Sequence, residues 1–351
     1  MRVVYHIPND NLRAAEEAAR AAEAAGFDGI VALENAHGPF PPLSVAAMAT
    51  ERIQIGTGVA IAFPRSPTIM AHAAWDLHKA SGGRFYLGIG SQVKGHNERR
   101  YGIEWTPPAP RIKDYIGAVR AVWQAWETGA QINYHSKHYT LTLTTPNFAP
   151  PPSGLQAIPI AMSAVGPAML RVAGDTADGV RLHPFSTKQY LAEKSLKHIS
   201  DGLTRSGRSR QDIEVVSGAF LATGKDEEAV SKMREYIRFR ISFYCSTRSY
   251  WDVLRLHNLE DLGERLRPYP KENRWDEMAA EISDDVLELF ATVGTYDEIG
   301  SKIANRYKGL ADSLSLFVPT DTKPGPLGEV LQDIQKIPTQ FLAHKSKWGT
   351  A

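Results

Sequence analysis

Between Ile53 and Gln92 the chain reads IQIGTGVAIAFPRSPTIMAHAAWDLHKASGGRFYLGIGSQ, and this stretch constrains the fold more than any other. Ile53, Ile55, Val59 and Ile61 make a short apolar run broken by Gly56 and Gly58. Glycine weakens an ordinary strand, so here it marks a bulge or a close backbone approach to something bound. Pro64 and Pro67 close the loop that follows. From Pro67 the residues Ile69, Met70, Ala73, Ala74, Leu77 and Ala80 recur at helical spacing, and Ser81-Gly82-Gly83 predicts a left-handed C-cap. Arg84 to Gly90 then reads as a buried strand. Strand, loop, helix and strand, repeated, build either an open doubly wound sheet or a closed barrel.

Gly88-Ile89-Gly90 is not a dinucleotide-binding fingerprint. That motif needs a third glycine three residues after the second and belongs to the first βα unit; here Val93 holds the position, and the unit is at least the third.

The same rhythm runs along the whole chain. Met1 to Ile7 reads as a first strand, and Asn9 or Asp10 is placed to cap the alanine-rich helix Leu12–Ala25, which Gly26 ends. Asp28 to Glu34, Ile53 to Ile61 and Arg84 to Gly90 are strands two to four. The helix Arg111–Thr128 carries Tyr115, Val119, Val122 and Trp126 at helical spacing, which makes Trp123 and Trp126 core residues rather than cofactor stackers. Residues 132–148 alternate as an excursion or hairpin, closed by Pro150-Pro151-Pro152 as a stiff connector. Pro159–Ser163, Gly179–His183, Glu214–Thr223 and Leu314–Pro319 complete eight strands, with a covering helix from Leu327 to His344. Eight strands interleaved with helices predict an α/β fold, a (β/α)8 TIM barrel. One domain over residues 1–351 is expected, with insertions at about 128–153 and about 240–284.

Forty basic and thirty-nine acidic residues give a net charge of +1, too balanced to steer nucleic acid or an anionic membrane, so a small-molecule substrate is expected. No apolar run approaches the ~20 residues of a membrane span. The single cysteine, Cys245, excludes an internal disulfide framework, and with no secretory signal at the start a cytoplasmic location is expected.

In a barrel the reacting groups sit where strands end. The candidates are His6, Glu34, Gly58, Gly90-Ser91, Ser163, His183 and Pro319. His6 stands alone rather than in an H-x-H pair, and His135 and His138 fall in the excursion, so no metal site is expected. Ser163-Ala164-Val165-Gly166-Pro167 follows a strand and opens a helix. It is either an anion site, with backbone N–H groups and the Ser163 hydroxyl facing a phosphate, or an N-cap serine with Pro167 near N1. Arg65 either pairs with a phosphate or carboxylate or is a solvated loop residue. The block from Phe243 to Glu281, with Trp251, His257 and Trp275, is either a lid or an appendage outside the barrel.

The chain resembles the luciferase-like superfamily of flavin and deazaflavin enzymes, and within it the branch of coenzyme F420-dependent oxidoreductases. The segments carrying the resemblance are Ala62-Phe63-Pro64-Arg65-Ser66-Pro67, Ala71-His72-Ala73-Ala74-Trp75-Asp76-Leu77, Ser81-Gly82-Gly83-Arg84-Phe85, Leu87-Gly88-Ile89-Gly90-Ser91-Gln92 and Asp178-Gly179. Cys245-Ser246-Thr247 with Tyr250, and Asp285 to Leu287 with Val293-Gly294-Thr295, extend it over nearly the whole chain. The resemblance implies that Gly58-Val59 form a non-proline cis peptide behind the cofactor ring and that Gly90, Ser91 and Gln92 lie near it. It also implies a phosphate site at Ser163, Ala164, Val165 and Gly166, hydride transfer between F420 and a small organic substrate, and a homodimer. His6 joins the candidate cofactor contacts.

One departure bears on chemistry. Deazaflavin dehydrogenases of this superfamily end strand two with an acidic residue followed directly by a catalytic histidine, whereas this chain has Glu34-Asn35-Ala36-His37. Asn35 is neither acid nor base, which leaves His37, Glu34, His183 or His6 as proton donor. Two alternatives follow: an FMN-dependent, two-component monooxygenase fed by a flavin reductase, or a non-catalytic flavin- or deazaflavin-binding protein.

Overall fold

A computed structural model describes residues 1–317 and 323–344. Eight parallel strands close on themselves: β1 Arg2–His6, β2 Gly29–Ala32, β3 Gln54–Thr57, β4 Phe85–Gly90, β5 Ile160–Ala164, β6 Gly179–Leu182, β7 Glu214–Gly224 and β8 Ser313–Phe317. Each pairs with the next, and β8 returns to β1. After a bulge at Gly58-Val59, β3 resumes as Ala60–Ile61, which pairs with the outer end of β4. The expected barrel is present. β8 stops at Phe317, and Pro319 lies outside the described residues.

Local chemistry explains the helices. Asn11, rather than Asn9 or Asp10, caps Leu12–Ala25 by accepting from the N–H groups of Arg13 and Ala14, and Gly26 ends it at φ 91°. Ser66 caps Pro67–Ala80 with Pro67 at N1, and Gly82 follows in the left-handed region at φ 62°. The last described helix is Pro324–Gln335; the chain leaves it well before His344, which the sequence places inside a helix.

Alternation divides the barrel residues into two sets. Val3, Tyr5 and Ile7 of the β1 segment join the main core between strands and helices, where Trp75, Trp123 and Trp126 also pack. Trp123 Nε1 donates to the Ala71 carbonyl at 3.1 Å, which places it in the core as expected. Val4, Val31, Tyr86 and Ala161 form a separate small cluster inside the barrel. Gly56 makes room for this cluster: a Cβ there would lie 2.4 Å from the Tyr86 ring. The close approach anticipated at Gly56 is therefore to a neighbouring side chain, not to a ligand. A Cβ at Gly88 would meet the Thr57 carbonyl at 1.9 Å, so that glycine serves strand packing as well.

The two excursions differ in kind. Residues 132–148 contain a hairpin, Tyr134–His135 against Thr140–Leu141. The second builds its own core around the helix Glu227–Cys245, with Trp251, Leu262, Met278 and Phe290 buried in it. This satellite is anchored because β7 overshoots the barrel: its outer half, Phe220–Gly224, pairs with a strand Ala291–Thr295 that the hydrophobic pattern does not reveal. Among the described residues no helix is long and apolar enough to cross a membrane.

Candidate active site

The C-terminal strand ends bring five of the expected residues onto one cavity of about 90 Å³: His6, Gly58, Val59, Ser163 and His183, joined by Arg181. The Gly58–Val59 peptide bond is cis. A Cβ at Gly58 would point at Val31, 2.9 Å away, and so into the barrel rather than out over the mouth.

His6 Nε2 lies 2.6 Å from Ser315 Oγ. Burial, aided by the Arg181 guanidinium, pulls its imidazole down to about 3, so it is neutral near pH 7. His183 is also pulled down to about 3, by burial and then by Arg240. Its Nδ1 accepts from the Phe185 N–H at 3.0 Å, which puts the proton of the neutral ring on Nε2. Tyr244 and Tyr250 of the satellite pack on the His183 ring at 4.4 and 4.6 Å. The satellite therefore reaches the mouth through two tyrosines. Trp251 is core, bonded to the Cys245 carbonyl at 2.7 Å, and His257 is tied to Thr187 Oγ1 at 2.8 Å.

Glu34 and Arg65, separate candidates in the sequence, form one bidentate ion pair with N–O distances of 2.8 and 2.9 Å. Glu34 also accepts the Ile61 N–H at 2.7 Å. Both carboxylate oxygens are thus occupied in holding the chain just after the bulge. Arg65 meets a carboxylate of its own chain, neither a phosphate nor solvent alone.

Asn35 caps a turn, its Oδ1 accepting from Ala36 N–H at 2.6 Å while Arg100 donates to its carbonyl. His37, in that turn, is exposed and off the cavity wall. At the end of β4, Gln92 adopts φ 56° and its Oε1 accepts the Val93 N–H. Asn97 holds the Ser91 carbonyl at 3.0 Å. Gly90 lies beneath Val59 and Ser163, where a Cβ would be 2.8 Å from one and 3.6 Å from the other.

Gly166, not Ser163, is the N-cap of the helix Pro167–Thr176, with Pro167 at N1 and no side-chain cap. Among the described residues, chain neighbours aside, no atom lies within 4 Å of the place a Gly166 Cβ would take. The first N–H groups of this helix are therefore unsatisfied by side chains and open to an anion. The larger groove of about 960 Å³, between residues 187–192 and the strand Ala291–Thr295, is a poorer candidate. Two of its basic groups are bonded to the chain itself, Lys188 to the Asn305 carbonyl and Arg306 to the Leu289 carbonyl. Among the described residues no cluster of three His, Cys, Asp or Glu is placed to hold a metal.

The profile of the luciferase-like monooxygenase family matches residues 1–313. The chain belongs to this family. A relative from Mycobacterium tuberculosis, named only as an uncharacterized protein, is 38% identical over 331 residues, covering 94% of this chain and 96% of its own length. The 5,10-methylenetetrahydromethanopterin reductase of Archaeoglobus fulgidus is 28% identical, with 86% of this chain and 88% of the relative covered. The same luciferase-like barrel occurs in the coenzyme F420-dependent tetrahydromethanopterin reductase of Methanopyrus kandleri, with a TM-score of 0.78 and 22% identity over 95% of this chain and 98% of that one.

Arg181 and Ser315 line the cavity although the sequence did not single them out, and Tyr86 accepts from Arg181 behind it. The available signal was Arg181 itself: a charge in the middle of Gly179-Val180-Arg181-Leu182-His183, two residues before a candidate histidine and on the same face of the strand.

Proposed function

We propose that this chain is an oxidoreductase that binds coenzyme F420 across the C-terminal mouth of the barrel and moves a hydride between it and a small organic substrate. The observation carrying this reading is the strand-end cavity where Gly58-Val59 faces Ser163 and two imidazoles held neutral. Two relatives add support: the A. fulgidus reductase and an M. tuberculosis protein named as a putative F420-dependent oxidoreductase, 28% identical over 302 residues.

The residues fit such a cofactor. A cavity of about 90 Å³ accepts one edge of a ring system, not a whole cofactor. The open N-terminus at Gly166, with Ser163, Ala164 and Val165 leading into it, suits the phosphate of its tail. When bound, the deazaflavin supplies the hydride donor or acceptor at its ring carbon C5. His183 presents Nε2–H as a hydrogen-bond donor that stays neutral, suited to orienting an oxygen atom. His37, exposed in the turn after β2 and outside the cavity wall, is the proton donor or acceptor where bound cofactor and substrate extend the site beyond that cavity. Glu34 positions, holding Arg65 and the Ile61 N–H so that the bulge keeps its place. Gly90, Ser91 and Gln92 border the ring, with Asn97 fixing their loop.

Titration of the purified protein with F420, FMN and FAD, read from each chromophore, tests the assignment. F420 is expected to bind at micromolar affinity or better and more tightly than FMN. Preferred FMN binding with oxygen uptake on reduction would instead make the protein a two-component monooxygenase.

A further inference from the structure

Arg181 projects from β6 into the barrel interior and is only 7% exposed. Its Nη1 donates to the Tyr86 hydroxyl at 3.2 Å and its Nη2 to Ser315 Oγ at 2.9 Å, both neutral acceptors. Among the described residues no carboxylate lies within ion-pair distance. Glu214, two residues before the strand partner of Arg181, is taken up by Arg2 and His344, and Glu34 by Arg65. Tyr86 stays a neutral phenol, because burial pushes its hydroxyl above the usual range. His6, across the same cavity, is neutral too. A guanidinium removed from water costs several kcal/mol unless a counter-charge or a full set of hydrogen bonds offsets it. Hydrogen bonds to two neutral hydroxyls leave that charge uncompensated among the described residues. Arg181 lines the cavity with His6, Gly58 and Ser163, so its field acts on whatever binds there.

We propose that the missing counter-charge is the bound cofactor ring in its reduced, electron-rich state, so that Arg181 makes the barrel mouth select the reduced cofactor over the oxidised one. The inference rests on the hydride-transfer reading above. When a substrate C–H bond breaks towards the ring, the hydrogen and both bonding electrons go to C5, and the ring system gains one negative charge. Any proton the substrate loses goes to a neighbouring base or to water. The fixed cation below the mouth favours that product over the starting ring, and no protein group has to reorganise as the charge arrives. Tyr86 and Ser315 hold the guanidinium in place, and the neutral state of His6 keeps a second positive charge away from it.

The test is anaerobic equilibrium binding of oxidised and chemically reduced F420, with FMN in both states alongside, to wild type, Arg181→Met and Arg181→Lys. Wild type is expected to bind reduced F420 at least about tenfold more tightly than oxidised F420. Arg181→Met should abolish that preference while changing affinity for the oxidised form by no more than about threefold, and Arg181→Lys should keep most of it. Equal affinity of wild type for the two states, or a preference that survives in Arg181→Met, overturns the inference while F420 binding itself upholds the functional reading. If Arg181→Met does not fold, the midpoint potential of the cofactor bound to wild type decides: a value above that of free cofactor supports the inference, and an equal or lower one overturns it. If only FMN binds, and its reduced-state preference is lost in Arg181→Met, the role of Arg181 stands and the F420 assignment falls. If neither cofactor binds, both fall.

Discussion

At the foot of the barrel interior Arg2 lies 3.1 Å from Glu214, Gln54 accepts from the same guanidinium, Ser313 donates to the Glu214 carboxylate, and His344 closes from below at 3.6 Å. At the mouth Arg181 meets two hydroxyls and, among the described residues, no carboxylate, beside two histidines kept neutral. Both ends bury polar groups on strands of one sheet, yet among the described residues only the foot pairs its guanidinium with a carboxylate. A compensated end serves stability. An uncompensated end is complementary to something else, and in this barrel that end carries the bulge, the open helix N-terminus and the cavity.

Replacing one charge at each end breaks the comparison most severely. Glu214→Leu leaves Arg2 without its carboxylate and should lower stability by about 3 kcal/mol, whereas Arg181→Met removes an uncompensated charge and should leave stability unchanged or raise it by up to about 3 kcal/mol. Urea unfolding of both variants checks this, and equal losses would erase the distinction. His183 at the mouth and His37 in the turn outside it should matter to turnover instead. His183→Ala is expected to reduce it about 10²-fold by removing the Nε2–H donor, and His37→Ala by a similar factor, each with cofactor affinity near wild type. A fully active His37→Ala would leave His183 alone in the site.

A smaller effect probes the apolar layer between the two ends. Gly56→Ala places a Cβ 2.4 Å from the Tyr86 ring and should cost about 1–3 kcal/mol, with Tyr86→Leu, which also removes an acceptor of Arg181, adding less in that variant than it does alone. Equal costs of Tyr86→Leu in both backgrounds in thermal unfolding would show that Gly56 serves something other than packing against Tyr86.

The pH dependence is more gradual. His6 and His183 sit near 3 in the folded chain against 6.5 in the open one, so between those values the unfolded state binds more protons and stability rises with pH. Glu214, held down to about 2 by His344, Arg2 and Ser313 against the opposing effect of burial, adds stability above 4.5 that is lost on acidification. Stability should therefore be level near pH 7 and fall below about 6.5, by up to about 1.4 kcal/mol per pH unit for each histidine. His6→Asn should remove about one proton from that slope; an unchanged slope would mean that His6 is not held neutral.

The sequence alone determined the repeating unit, the number and order of barrel strands, and the stretches where binding residues gather. Periodicity, glycine placement and caps act within a few neighbouring residues, and strand ends are the places where a barrel puts chemistry. Only the tertiary structure decided which of those residues work together. Glu34 and Arg65 are a pair because β2 and the loop after β3 lie side by side, although 31 positions separate them in the chain. Gly56 answers to Tyr86 across a strand, and the strand Ala291–Thr295 exists because β7 overshoots its barrel. Among the described residues Arg181 is uncompensated because Glu214 and Glu34 are held by other partners. A charge's surroundings come from strands distant in sequence, and the burial that sets its energy arises only when the sheet closes.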